Sequence, residues 1–398
     1  MKIGAIVCEY NPLHNGHLYQ VYKAKNEYGI DSMIGIMSGS FVQRGEPAIL
    51  DKYTRARNAV ENGLDLILEL PTYFTLKSAE FFASGAIEII KRLNIVDYLV
   101  FGSEIGSIET LKSIVNIINT SEYSTYLNEG MDLGLSYSSA SNNAIIKAAK
   151  SKNIELPSIN SNDILAIEYI KAAKNSNLVP ITIKRKGADY LSLSTDDEFI
   201  SATAIRNAII TKNDFKSVRD YVPGSVYELL ESLNPANNVF AEELLFNLLL
   251  FTVFVEKRNL CTISRFEAGM DNLIINNLKT SSNLKELIDK LTSRRYTASR
   301  IKRFILNYLL NISSDMSFDY DNLYIRPLCF NEMGAKILSL LKDSSQLPLV
   351  SKFSDFYSEC NNPLLELELR ASNLYNLLHG IRIVNEDFLK SPIHLKSS

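Results

Sequence analysis

Cysteine and histidine are both scarce in this chain of 398 residues, with four of each. The cysteines, Cys8, Cys261, Cys329 and Cys360, form no CxxC pair, so the sequence predicts neither a zinc site nor a disulfide framework. A reducing, cytoplasmic location fits this pattern. Cys8 lies beside a turn where a reactive thiol could be proposed, but a small residue packed at the end of a strand is the better interpretation.

Long hydrophobic runs are lacking as well. The longest, Leu244 to Val255, is interrupted by Asn247 and Thr252 and is shorter than a bilayer crossing. We therefore expect a buried helix and no membrane partner. No signal segment is expected either, because the chain leads straight into an apolar strand after Lys2.

Neither sign of charge is in clear excess, since the net charge is −3 and the pI is about 6.0. This balance argues against an indiscriminate nucleic-acid binder, and we expect no DNA partner. Residues 279–303, however, hold eight basic side chains against two acidic ones. Such a patch on an acidic protein is typical of selective contact with an RNA backbone, although a solvated helix face is the alternative. Tyr296 offers a surface for base stacking, and the predicted RNA-binding residues are Arg294, Arg295, Tyr296, Arg300 and Arg303.

Hydrophobic periodicity predicts alternating strands and helices in the first half of the chain. Strands are expected at 2–7, 32–37, 65–69, 97–101 and 179–184. Helices are expected near 16–28, 52–62, 78–92, 106–118, 141–151 and 162–174. This alternation predicts an α/β fold with a parallel sheet, whose ligands bind beyond the carboxyl ends of the strands. The loops at 38–46 and 130–142 are candidate lids.

The second half is expected to be helical. Residues 233–238 resemble a linker, and no strands are expected beyond it. Helices are predicted near 239–257, 283–291, 297–312, 331–342 and 363–379. The sequence thus predicts a nucleotide-binding domain at 1–232 and a mainly α-helical domain at 239–398.

Two of the four histidines lie close together in His14-Asn15-Gly16-His17, between an apolar strand and a periodic helix. The start of a helix offers free N–H groups and a favourable dipole to phosphate, and side chains three residues apart can share one face. Gly16 removes a Cβ and lets a ligand lie close to the backbone. The motif predicts a nucleotide-phosphate site with His14 and His17 as catalytic residues. The alternative is two ordinary surface or capping histidines.

A second motif, Ile200 to Arg206 (ISATAIR), has a similar chemical logic. Ser201 and Thr203 can cap a helix and bind phosphate, and Arg206 adds a charged fork one turn later. In isolation the segment is slightly more typical of a plain helix cap with a surface arginine. Paired with the histidine motif, it predicts Arg206 as the third catalytic residue.

These motifs resemble known ones. HNGH resembles the HxGH signature of the HIGH nucleotidyltransferase superfamily, whose members transfer adenylyl groups from ATP on a Rossmann-like domain, and ISATAIR resembles its ISSTxIR element. The resemblance to the bacterial tRNA(Met) cytidine acetate ligase family extends over most of the chain. Its further segments are CEYNP (8–12), MSGSFVQRGEPA (37–48), LILELP (66–71), FGSE (101–104), NDILAIEY (162–169) and RRYTASR (294–300).

The resemblance implies a Rossmann-like, parallel-sheet nucleotidyltransferase domain with an ATP site. Without the family, Gly102 and Asn162 suit a tight turn and a helix cap, and Lys184-Arg185-Lys186-Gly187 suits a solvated turn as well as it suits a phosphate site. The implied ATP-binding residues are Val7, Cys8, Glu9, Tyr10, Asn11, Pro12, Leu13, His14, Asn15, Gly16, His17, Gly102, Asn162, Arg185, Ser201 and Thr203.

The implied activity has two steps. Acetate would attack ATP to give acetyl-adenylate, with Mg²⁺ accompanying ATP and no dedicated metal site. The acetyl group would then pass to the wobble cytidine of elongator tRNA(Met), recognised at its anticodon region, to give N4-acetylcytidine. No general base is identified, since Glu9 and Glu104 can equally be structural.

Two other functions stay open at this point. One is an adenylyltransferase acting on a small molecule or coenzyme precursor, and the other is a non-catalytic RNA-binding protein. The chain departs from the family pattern at Cys8, Leu13 and Ser161, and none of these changes removes a group that the chemistry requires.

Overall fold

A seven-stranded sheet forms the centre of the computed structural model, which describes residues 1–185, 199–234, 236–316 and 319–396. The strands lie in the order β7-β6-β1-β2-β5-β8-β9, and all neighbours are parallel except β5 and β8. Their bounds are β1 Ile3–Cys8, β2 Ser32–Ser38, β5 Leu66–Leu70, β6 Tyr98–Ser103, β7 Val179–Lys184, β8 Pro327–Phe330 and β9 Ile393–His394; a separate hairpin pairs β3 Phe41–Val42 with β4 Glu46–Pro47.

Helices cover both faces of the sheet and build the rest of the molecule. In the first half they are α1 Asn15–Tyr28, α2 Lys52–Glu61, α3 Thr72–Thr75, α4 Ala79–Leu93, α5 Ile108–Ile118, α6 Ser121–Asp132, α7 Tyr137–Ser151, α8 Ser161–Ala172, α9 Ala202–Arg206 and α10 Gly224–Glu231. In the second half they are α11 Ala236–Leu250, α12 Met270–Leu278, α13 Leu284–Leu291, α14 Ala298–Leu309, α15 Glu332–Ser344, α16 Phe353–Glu359, α17 Pro363–Leu378 and α18 Glu386–Leu389.

The five strands predicted in the first half are confirmed, but the expectation that strands end before residue 233 is wrong. β8 pairs antiparallel with β5, and β9 pairs with β8, so the C-terminal part of the chain completes the sheet. β5 is buried along its whole length. It therefore needs a neighbour on its second edge, and β8 supplies one.

Three local predictions also need correction. The predicted loop at 130–142 is mostly helical, because α6 ends at Asp132 and α7 begins at Tyr137. The loop at 38–46 contains β3 and the start of β4, and the predicted linker overlaps the start of α11 at Ala236.

The parallel strands are buried on both faces, so alternate residues enter different cores. Ile3 and Ala5 pack with α4, α5 and α8, whereas Ile6 packs on the other face with α1 and α2. A third core joins α11 to α14 and α17, and the β3–β4 hairpin inserts Phe41 and Val42 into it. The hairpin therefore connects the sheet to the helical region.

The longest apolar run is only partly buried. It forms the end of α11 and a π-helical segment, Phe251–Val255. Leu245 and Leu249 are buried, but Phe251 and Val255 are exposed, which contradicts the expectation of a wholly buried helix. Within the described ranges, no helix has both the length and the apolar character needed to cross a membrane.

A buried ion network holds the C-terminal segment against the sheet. Lys52 Nζ lies 2.8 Å from Glu69 Oε1 and 2.8 Å from Asp387 Oδ1. Arg326 reaches Glu69 Oε2 and Asp387 Oδ1, at 2.7 Å each. These four side chains come from α2, β5, the residue before β8 and α18, so they connect distant parts of the sequence.

Candidate active site and RNA-binding cleft

The two motif histidines lie at the start of α1, beyond the carboxyl end of β1, where the sequence predicts them. His14 is the N-cap residue, and its Nδ1 accepts a hydrogen bond from the Gly16 N–H at 3.1 Å. His17 Nδ1 accepts from the His14 N–H at 3.3 Å. The rings stack with their centroids 3.7 Å apart. Both histidines therefore do cap the helix, as the alternative interpretation expects, but capping uses only the Nδ1 atom of each ring.

Burial determines the charge of both histidines. It lowers the pKa of His14 to about 3, with a smaller contribution from Arg185. Burial, His14 and Arg185 together lower the pKa of His17 well below its usual value. Both rings are thus neutral near pH 7. Because each Nδ1 accepts a hydrogen bond, each ring carries its proton on Nε2, which leaves two N–H donors for an anion.

Gly16 is required by the His14 ring itself. A Cβ at position 16 would lie 2.9 Å from Cε1 of His14, and His14 is only 3% exposed. The sequence interpretation assigned this glycine to the approach of a ligand. The structure gives a more direct reason, since a side chain at position 16 would displace the ring of His14, a predicted catalytic residue.

ISATAIR is brought to the same turn. Arg206 donates to the carbonyl oxygen of Asn11 at 2.7 Å and to Thr203 Oγ1 at 3.3 Å. Ser201 caps α9 by accepting from the Ala204 N–H at 3.1 Å. Arg206 also lies 3.5 Å from Glu46 of the hairpin. Two sequence-distant motifs therefore form one site, with Arg206 fixed beside the histidines.

Gly102, Asn162 and Arg185 gather at the end of β6. A Cβ on Gly102 would lie 3.3 Å from Cγ of Arg185, and the Arg185 N–H donates to the Ser103 carbonyl at 2.9 Å. Asn162 Nδ2 donates to Glu104 Oε1 at 2.6 Å. Glu104 Oε2 is buried without a hydrogen-bond partner among the described residues. Lys186 and Gly187 of the KRKG segment lie outside the described residues.

The other residues predicted for the ATP site differ in position. Val7, Cys8, Glu9, Tyr10 and Asn11 line the cleft. Burial raises the pKa of Glu9, whose carboxylate accepts from the Gln43 N–H at 2.6 Å. Away from the cleft wall lie Leu13, which packs in the core, Asn15, which donates to the Asp220 carbonyl, and the buried Pro12.

One cleft of about 970 Å³ connects the histidines with the basic segment at 295–303. Gly45 brings the two sides together, because a Cβ there would lie 2.5 Å from the backbone nitrogen of Arg303. Arg303 donates to the Gln43 carbonyl at 2.9 Å. The hairpin after the first two strands thus packs directly on α14.

The structure corrects the role predicted for Tyr296. The residue is 8% exposed, so it offers no open surface for a base, and its hydroxyl donates to Glu267 at 3.2 Å. Arg295 and Arg300 lie over the ring and also pair with Glu267. The Tyr296 ring thus packs beneath the guanidinium groups of Arg295 and Arg300. Arg294 is exposed, and its carbonyl accepts from the Ser136 N–H at 2.7 Å.

The cleft residues that sequence reasoning missed include Lys77 and Glu267. Neither belongs to a recognisable motif, and only the folded structure shows that Lys77 is buried and that Glu267 neutralises part of the basic patch. Within the described ranges, no group of three or more His, Cys, Asp or Glu side chains is placed to hold a metal ion.

The geometry of this cleft agrees with the comparisons with known proteins. The HIGH Nucleotidyl Transferase family matches residues 1–388. The tRNA(Met) cytidine acetate ligase of Clostridium botulinum strain Hall is 36% identical over 414 residues and covers 100% of both chains. The enzyme of the same name from Caldanaerobacter subterraneus subsp. tengcongensis is 37% identical and covers 99% of this chain and 100% of its own.

Solved structures show the same relationship. Thermotoga maritima TmcAL bound with alpha-thio ATP is 30% identical, with a TM-score of 0.87 and coverage of 100% of both chains. The apo form of that protein is 31% identical, with a TM-score of 0.89 and the same coverage.

Proposed function

Since the chain belongs to the HIGH nucleotidyl transferase family, and within it to the tRNA(Met) cytidine acetate ligases, we propose that it activates acetate with ATP and acetylates a tRNA cytidine. The acceptor is N4 of the wobble cytidine in the anticodon of elongator tRNA(Met). The observation that carries this proposal is the neutral histidine pair, with both Nδ1 atoms occupied, in a cleft that continues to the basic start of α14.

The first step forms the mixed anhydride. A carboxylate oxygen of acetate attacks the α-phosphorus of ATP, and the bond to pyrophosphate breaks. The Nε2–H groups of His14 and His17 donate to phosphate oxygens as charge shifts, and Arg206 adds a fixed positive charge. Donors held in place before the reaction need no reorganisation, which is the main source of catalysis in such transfers.

Nucleotide binding uses the ends of β1 and β6. Gly102 lets the nucleoside lie against the backbone, and the unpartnered Glu104 Oε2 accepts a hydrogen bond from its amino or hydroxyl groups. Mg²⁺ arrives with the ATP phosphates, because the described residues offer no carboxylate cluster of their own.

The second step transfers the acetyl group. The cytosine N4 amine attacks the acetyl carbonyl, the bond to AMP breaks, and one amine proton is released. The amine is a weak nucleophile because its lone pair is delocalised into the ring, so an activated acyl donor is required. The cytosine must leave the anticodon stack to enter the cleft.

Isotope exchange between pyrophosphate and ATP tests the first step. We expect exchange that depends on acetate and needs no tRNA. Addition of elongator tRNA(Met), with mass spectrometry of its nucleosides, should then reveal N4-acetylcytidine. Exchange that ignores acetate would point to adenylyl transfer to another molecule. Absence of both exchange and acetylcytidine with every component present would contradict the proposal.

A further inference from the structure

Lys77 is a buried lysine in the wall of the cleft. It is 4% exposed, its Nζ donates to the hydroxyl of Ser264, and its Nζ lies 4.3 Å from the centre of the Tyr73 ring. No carboxylate pairs with it in the described part of the chain. Burial, with a contribution from Arg265, lowers its pKa to about 8.

Lys52 is a buried lysine with a structural role, and unlike Lys77 it has carboxylate partners among the described residues. It is also 4% exposed, and it pairs with Glu69 and Asp387 at 2.8 Å each. A buried charge without a partner destabilises a protein, and such groups are concentrated at functional sites. From this contrast we infer that Lys77 binds a group that is not part of this chain.

Two arginines lie close to Lys77 and share its lack of a carboxylate. Arg265 follows Ser264 and has φ of 68°, a left-handed conformation that is unfavourable for arginine. Its guanidinium lies 4.2 Å from the centre of the Phe81 ring. Arg303 donates to the Gln43 carbonyl, and burial, Arg300 and Arg265 lower its pKa to about 10 against an opposing effect of Glu9. Among the described residues, no acidic side chain pairs with either arginine.

Two hydrogen bonds bring these three cations together. Asn307, one turn after Arg303 on α14, donates to the carbonyl of Leu76 at 3.0 Å. The Lys77 side chain, next along the chain, donates to the residue preceding Arg265. All three cations line the cleft that holds His14 and His17.

The adjacent exposed patch differs in its charge balance. Arg295 and Arg300 share the carboxylate of Glu267, which offsets one of their two positive charges. Among the described residues, no acidic side chain pairs with Lys77, Arg265 or Arg303, so uncompensated positive charge accumulates deeper in the cleft. An anion that carries a full charge and several acceptor oxygens would satisfy all three.

We propose that Lys77, Arg265 and Arg303 form an anion site that binds a backbone phosphate of the RNA next to the nucleotide that is acetylated. This site rests on the proposed function for the identity of the RNA. A phosphodiester fits better than the ATP phosphates, because Arg303 is itself a predicted RNA-binding residue and Arg265 lies in the same cleft, whereas ATP has its own donors at the histidines.

The test variants are Lys77→Met and Arg265→Asn. Methionine removes the buried charge and keeps the volume, so the melting temperature should stay constant or rise. Asparagine tolerates a left-handed backbone, so the turn should be kept. Arg57→Gln is the matched control, because it removes one positive charge from α2 at a side chain that is 59% exposed.

The measurement is the dissociation constant of elongator tRNA(Met) between 50 and 200 mM salt, with ATP affinity measured in parallel. Each test variant should reduce the slope of log K against log salt by about 0.7 to 0.9, which corresponds to one lost phosphate contact. ATP affinity should not change, and Arg57→Gln should behave as wild type. An unchanged slope in both test variants would overturn the site. Weaker ATP binding with an unchanged slope would reassign it to the nucleotide.

Failure of the proposed function gives a different result. If wild type binds tRNA but makes no N4-acetylcytidine, the proposed reaction fails, while a slope reduced by Lys77→Met still supports the anion site. If wild type does not bind tRNA, both proposals fail.

Discussion

In the proposed reaction, each motif histidine has two separate tasks, one for each ring nitrogen. Nδ1 caps the start of α1, and the proposal assigns to Nε2–H the hydrogen bond to phosphate. The side-chain amide of asparagine can take the place of Nδ1, and that of glutamine can take the place of Nε2–H. The two amide substitutions at one position therefore separate helix capping from catalysis.

We expect His17→Gln to keep more acetate-dependent exchange than His17→Asn. Removing one preorganised donor commonly lowers such rates by about 10² to 10³-fold, so His17→Ala and His17→Asn should fall in that range. Isotope exchange measures the effect, and tRNA affinity should be unchanged in all three variants. Equal activity of His17→Ala and wild type would remove His17 from the site.

The buried, neutral state of His14 predicts how stability depends on pH. Its pKa is about 3 in the folded protein and near its usual value of 6.5 when unfolded. Below pH 6.5 the unfolded chain takes up a proton that the folded protein does not. Stability therefore falls as the pH decreases toward 3, with a slope that approaches about 1.4 kcal/mol per pH unit for this group.

Urea unfolding of wild type and His14→Asn between pH 7 and 5 measures this contribution. Wild type should lose stability more steeply than the variant in that range. Parallel curves would mean that His14 is already accessible to protons. Because both histidines stay neutral, we expect the pH profile of the isotope-exchange rate between pH 6 and 9 to show no histidine ionisation.

At the level of elements, the β3–β4 hairpin connects the nucleotide site to α14. Gly45 makes this contact possible in two ways, since its φ is 78° and a Cβ would meet the backbone of Arg303. Gly134 provides a comparison, because its φ is 75° and nothing lies within 4 Å of its Cβ position.

Alanine at these two glycines should separate backbone strain from close packing. Gly134→Ala should lose about 1 to 2 kcal/mol from the left-handed conformation alone. Gly45→Ala should lose clearly more and should weaken tRNA binding, because the hairpin must move away from α14. Urea unfolding gives the stabilities. Equal losses would show that the hairpin adapts without cost.

The elements that sequence reasoning found and missed differ in length and environment. β1 is an apolar segment of six residues, β2 has five apolar or glycine residues between two serines, and α14 has a clear amphipathic period, so local pattern predicts them. β8 has four residues, and β9 has two. Their strand conformation comes from pairing beside β5, which is distant in sequence. Local pattern contains no signal for it.

The candidate site shows the same division. The HNGH turn and ISATAIR could be predicted because their chemistry lies in short contiguous segments. Lys77 could not, because its burial and its lack of a carboxylate depend on Ser264 and Arg265, nearly half the chain away. Tyr296 was assigned to base stacking because exposure cannot be read from its arginine neighbours.

At the scale of the whole molecule, the buried network of Lys52, Glu69, Arg326 and Asp387 fastens the C-terminal segment to the sheet. Asp387→Ala would leave Lys52 and Arg326 to share one carboxylate, and we expect a loss of about 3 to 5 kcal/mol. Asp321→Ala removes a pair whose carboxylate is 79% exposed, and should cost about 0 to 1 kcal/mol. Urea unfolding of both variants decides whether burial has this effect; similar values would contradict it.

The domain boundaries inferred from the sequence, 1–232 and 239–398, stay a prediction that sheet pairing now makes testable. A fragment of residues 1–232 would lack β8, so the fully buried β5 would become an open apolar edge. Such edges pair with other chains. We therefore expect the fragment to aggregate, and the complete chain to unfold in one transition in which fluorescence and circular dichroism coincide. A soluble, monomeric fragment that binds ATP would show instead that the first 232 residues fold independently and that β8 and β9 are additions to a complete sheet.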